Sequence, residues 1–168
     1  MKKKAKLPMV PAVFRICYFT VLLSAIFMAA ACSGGPSARE APGFSDILGK
    51  DWRLIRIRTE TDSINLDREV MDVAGVGDAF TLRFEEDRIN GVALPNRYFG
   101  PYVREGQAIS FKGIASTLMA SSNELDILNE NEYFGYLDRV QGWALRLGRL
   151  ELHSATPDGQ QAILIFSE

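Results

Sequence analysis

The feature that most constrains this chain is a two-residue alternation of large apolar and polar side chains, recurring in short runs from residue 52 to the end. Phe80-Thr81-Leu82-Arg83-Phe84-Glu85 is the cleanest run, with Phe80, Leu82 and Phe84 on one face. That period fits a half-buried strand and not a helix, whose faces repeat every 3.6 residues. Residues 52–58 set large apolar side chains against arginines at near-alternate positions, and residues 108–112 alternate again. Glu86-Asp87 makes a tight turn into residues 88–92, which predicts a hairpin. Residues 143–147 and 150–153 are two more strands around Gly148-Arg149, and residues 162–166 follow a turn at 157–160. One stretch departs from the alternation. Residues 121–140 place Leu125, Leu128, Phe134, Leu137 and Val140 near helical spacing, with Ser121 or Ser122 as cap, Glu124 in the first turn and a kink at Gly135. Strands, one helix, then strands predict an α+β domain: an antiparallel curled sheet or incomplete β-barrel with one main α-helix packed against it.

The N-terminus obeys different rules. Lys2, Lys3, Lys4 and Lys6 precede an apolar run over residues 16–31, short of the ~20 residues that span a bilayer as a helix. A basic start, an apolar middle and small residues at the end read as a signal peptide over residues 1–31. Ala29-Ala30-Ala31-Cys32 resembles a bacterial lipobox, with Ala29 where Leu is usual, which implies cleavage before Cys32 and lipidation of its thiol. Acyl chains then anchor the protein, each buried methylene adding about 0.8 kcal/mol. Cys17 is removed with the signal, so Cys32 has no partner in the mature chain. The same residues leave open an uncleaved anchor or a secreted protein with one free thiol. Residues 32–43, rich in Gly, Ser and Pro, form a flexible tether, and the globular domain takes residues 44–168.

Charge narrows the function. The formal net charge of −2 conceals five basic residues and no acid in the first 31, leaving 14 basic and 21 acidic residues from Cys32 onward. An acidic body without a basic stripe excludes nucleic acid as a partner. The single histidine, His153, sits on a strand and reads as a surface residue. Glu85-Glu86-Asp87 and Glu130-Asn131-Glu132 are the densest acidic groups, and neither has the spacing of a calcium loop. No phosphate loop, serine elbow or zinc motif is present, so we expect no enzyme activity, no cofactor and no metal. Trp52 and Trp143 read as core. Asn96, Arg97, Tyr98 and Tyr102 form the candidate binding cluster; the same residues also suit a structural role, with the tyrosines covering one end of a barrel.

These runs together resemble a known family. Leu48-Gly49-Lys50-Asp51-Trp52-Arg53-Leu54 resembles the L-x-G-x-W-x-L opening of the META domain, the HslJ-like family of bacterial lipoproteins. Residues 84–91 are similar to its F-x-x-D-x-x-x-G hairpin, and residues 96–102 to N-x-Y-x-G-x-Y. Residues 114–120 resemble I-x-x-T-x-M-A, and the last strands supply L-x-L and L-x-F. The resemblance implies an envelope lipoprotein that binds or stabilises another envelope component under stress or antibiotic challenge. It also implies an alternative, a carrier of lipid or hydrophobic peptide like the secretin pilot lipoproteins. Ser33 after Cys32 implies sorting to the outer membrane. Many family members carry Cys at the positions of Pro95 and Ser121, which implies a disulfide between the post-hairpin loop and the helix start. Here both are absent, so Pro95, Tyr98 and Tyr102 are expected to hold that loop.

Overall fold

Alternation at period two becomes strands that curl until the first meets the last. The computed structural model describes residues 42–119 and 127–168. The signal peptide, Cys32, most of the tether, and Ser121, Ser122, Glu124 and Leu125 lie outside the described residues. The strands are β1 (Asp51–Thr59), β2 (Ser63–Asn65), β3 (Thr81–Phe84), β4 (Arg88–Val92), β5 (Arg97–Glu105), β6 (Ala108–Phe111), β7 (Ala115–Ser116), β8 (Gly142–Arg146), β9 (Arg149–Ala155) and β10 (Gln161–Ser167). They hydrogen-bond antiparallel in the order β10-β9-β8-β6-β5-β4-β3-β1, and β1 pairs back onto β10. Eight strands thus form a closed barrel, where the sequence predicted an incomplete one. β2 hangs on β1 and β7 on β5.

Closure rests on β1. A bulge between Leu54 and Arg56 lets this nine-residue strand pair with β10 from Arg53 to Thr59 while Asp51–Arg53 pair with β3. Bulges bend a strand and increase its twist, which is what closing a sheet requires. The thinnest seam lies between β6 and β8, joined at Ala108 and Gly142 with bonds from Ile109 N to Gln141 O and Trp143 N to Gln107 O. The hairpin at 85–87 forms as expected, closed by Glu85 N to Arg88 O at 2.8 Å.

The barrel is filled. Trp52, Leu54, Leu82, Phe84, Ile89, Ile109, Leu150, Leu152, Leu164 and Phe166 are buried and belong to one continuous core. An eight-stranded barrel has an interior just wide enough for such packing.

Helices are minor and differ from the expectation. α1 (Arg68–Val73) was not foreseen; Asp67 caps it by accepting from Glu69 N and Val70 N. α2 (Glu130–Asp138) starts later than expected and is capped by Asn129 and Glu132 in a reciprocal capping box, not by Ser121 or Ser122. It passes through Gly135 unbroken, and Tyr133 and Leu137 enter the core.

Arg68 explains how α1 docks. Its guanidinium donates to the carbonyls of Leu54, Ala79 and Phe80, while its Nε has no partner. Phe80 has φ of 54°, a left-handed conformation that is costly for a bulky side chain. Arg68 therefore clamps the strained entry to β3 onto β1. Burial, aided by Arg53, brings its pKa down to about 10.

Candidate functional site

The four residues of the candidate binding cluster go to four different places. Asn96 is buried, and its side chain is fully engaged. Its Oδ1 accepts from Thr117 Oγ1 and Met119 N, both at 2.7 Å, and its Nδ2 donates to Glu130 Oε2 at 3.0 Å. Asn96 thus ties the post-hairpin loop to residues 117–119 and to the start of α2. Pro95, one of the two positions where the resemblance implies a cysteine, precedes this tie; Ser121, the other, lies outside the described residues.

Tyr98 points into the barrel. It stands opposite Gly91 on β4, where a Cβ would lie 2.1 Å from Thr81 O and 2.8 Å from the Tyr98 ring. Glycine at 91 therefore lets the ring cross the neighbouring strand, an aromatic covering a glycine. The hydroxyls of Tyr98 and Tyr133 converge on Thr81 O at 2.8 and 3.3 Å and lie 3.1 Å apart. Burial raises the pKa of both phenols. Tyr102, half-buried, sits toward the other barrel end and binds the carbonyls of Glu85 and Glu86 at 2.9 and 2.8 Å. It holds the β3–β4 turn, not the post-hairpin loop as expected. Of the four, only Arg97 is exposed.

Arg97 leads to a site that the sequence did not reveal. The outward faces of β1, β3, β4 and β5, with residues 72–78 as a rim, form a groove of about 670 Å³. Two of its arginines are fixed. Arg83 Nη1 donates to both carboxylate oxygens of Asp51 at 3.0 Å, and Arg53 Nη2 donates to Asp72 at 2.5 Å and to Gly77 O at 3.1 Å. Val92 and Thr81 lie on the floor, and Phe99, 58% exposed, stands beside Arg97. The outward residues of each strand were legible one by one. Their assembly needed the pairing order, which brings β1 beside β3.

His153 lines a separate, smaller cleft on the β8–β10 wall with Gln141, Ser154 and Gln161. Among the described residues, no group of three or more His, Cys, Asp or Glu side chains is placed to hold a metal ion. No helix among them is long and apolar enough to cross a membrane.

With the geometry in place, comparison with known proteins fixes the kinship. The META domain family's sequence profile matches residues 45–167. The chain belongs to the META domain family. The fold has a solved counterpart in the NMR structure of a protein from Burkholderia xenovorans, with a TM-score of 0.52 and 17% identity over 80% of this chain and 98% of that one. No curated protein matches the sequence.

Proposed function

We propose that this chain is a non-enzymatic binding protein of the bacterial envelope, an HslJ-like lipoprotein. Lipidated Cys32 holds it to the membrane, at the outer membrane by its Ser33, and the META domain contacts another envelope component and stabilises it under stress. One observation carries this reading: the barrel interior is filled with side chains, while a groove with preset arginines lies open on the outer wall. A ligand therefore meets the outside of the barrel, and for the same reason we do not favour a carrier that shelters a hydrophobic molecule within it. Four of the groove's six charges are arginine–aspartate pairs that neutralise one another, an arrangement suited to binding more than to proton transfer.

Photo-crosslinking in intact cells tests the contact surface. A photoreactive residue replacing Phe99 is expected to give a discrete adduct, while one replacing Val103, exposed on β5 but outside the groove, gives none. Absence of any adduct from Phe99, Val92 or Arg97 would sink the proposal. Lipidation is tested separately: Cys32→Ala is expected to leave a larger precursor, and unchanged mobility would refute it.

A further inference from the structure

The groove's charges, sorted by whether they are already engaged, specify a ligand. Asp51 with Arg83 and Asp72 with Arg53 are paired with one another and leave two charge-neutral walls. Two charges in the lining remain, Arg97 and Asp78, both exposed and without an ion-pair partner among the described residues. One is a cation and the other an anion, so a ligand of uniform charge would meet repulsion at one end.

Their placement gives a length. Asp78 follows Gly77, whose carbonyl accepts from Arg53, and so lies on the β1 side. Arg97 lies on β5. Arg53 pairs with Thr81, Val92 N bonds Thr81 Oγ1, and Val92 pairs with Arg97. Three inter-strand steps separate Arg53 from Arg97, roughly 14 Å at about 4.8 Å each. An extended peptide covers that distance in about four residues. Each of β1, β3, β4 and β5 is paired on both edges, so the ligand cannot join as an added strand. It must cross the strands and be read by side chains.

We propose that the groove binds a short extended peptide with an amine at Asp78, a carboxylate at Arg97 about four residues on, and an apolar side chain against Phe99. Arginine suits the carboxylate because its planar donors match two oxygens. This inference rests on the groove being the contact surface proposed above.

Calorimetric titration of the full chain in detergent micelles tests it, with the tetrapeptide Ala-Ala-Ala-Phe bearing free termini as the probe. N-acetylation or C-amidation of the peptide is each expected to weaken binding by about fivefold, the scale of one exposed ion pair. Arg97→Gln is expected to erase the effect of amidation, and Asp78→Asn that of acetylation. The double exchange Arg97→Glu with Asp78→Arg is expected to restore affinity with the peptide reversed, while Arg58→Glu, outside the groove, changes nothing. All these positions are exposed, and circular dichroism checks that each variant folds. Equal binding of free and capped peptides, or no binding of either, overturns the proposal. If the Phe99 adduct still forms in cells, only the ligand class falls. If it does not, the contact surface falls with it.

Discussion

The two ends of the barrel are closed with aromatic side chains in opposite ways. At one end Tyr98 and Tyr133 enter the core under α2, stack edge-on at 6.0 Å, and turn their hydroxyls to the Thr81 carbonyl. At the other, Phe44 from the short 3₁₀ turn Phe44–Asp46 packs 5.2 Å from Trp143, 5.5 Å from Phe84 and 5.6 Å from Tyr102, with the Arg104 guanidinium 4.4 Å from its ring. At the tyrosine end both phenol rings are fully buried and both hydroxyls are matched within the protein. The phenylalanine end is half-buried and keeps its charge and its Tyr102 hydroxyl at the rim. A buried polar group must find a partner within the protein, whereas a rim group has water as an alternative.

That contrast can be broken by mutation. Tyr133→Ala removes a fully buried ring that also packs on Phe80, and should cost about 3–5 kcal/mol in urea unfolding, the largest effect expected. Gly91→Ala attacks the same end through the backbone. Its Cβ meets the Thr81 carbonyl, which cannot rotate away, so a loss of at least about 2 kcal/mol is expected. A neutral Gly91→Ala would show that β4 can shift and that the close approach is not required.

At the opposite end Phe44→Ala should cost about 2 kcal/mol, less than Tyr133→Ala because Phe44 is only partly buried. The hole it leaves is walled by apolar rings, so benzene should raise the melting temperature of the variant and not of the wild type. No rescue by benzene would mean that the rim collapses.

Tyr133→Phe sharpens the comparison most finely, with an expected cost of about 1 kcal/mol at neutral pH. Its pH dependence carries the sign. Both buried phenols have raised pKa values in the fold, so the unfolded chain loses these protons first, from about pH 10 upward. Stability is intact below that pH and declines as pH rises through it. Arg68, lowered to about 10, titrates in the same window with the opposite sign, and Tyr133→Phe removes an interaction that raises it. The wild type should therefore lose stability more steeply above pH 10 than Tyr133→Phe. Parallel curves would mean that Tyr133 is not shielded from water.

Some structure missed at first was nevertheless written in the sequence. Asp67 followed by Glu69 marks the start of α1, and Asn129-x-x-Glu132 is a capping box, a stronger start signal than the serines at 121 and 122. The apolar spacing of residues 121–140 predicts one helix, but the local caps at Asn129 and Glu132 decide where α2 begins. Asn96 was legible as important but not as a tie, since its partners Thr117, Met119 and Glu130 lie 21 to 34 residues away. The Phe80 conformation left no sequence signal, because a left-handed φ is normally announced by glycine or asparagine.

The sequence by itself determined seven of the eight barrel strands, though not β5, their inward faces, the Glu86-Asp87 turn and the kinship with the META domain family, because alternation and turn chemistry act over a few residues. Only the tertiary structure decided that the sheet closes, that Tyr98 and Tyr102 serve opposite ends, and that Arg53, Arg83 and Arg97 share one groove. Those outcomes depend on which strands become neighbours. β1 meets β10 across more than a hundred residues of chain, and no local pattern encodes that meeting.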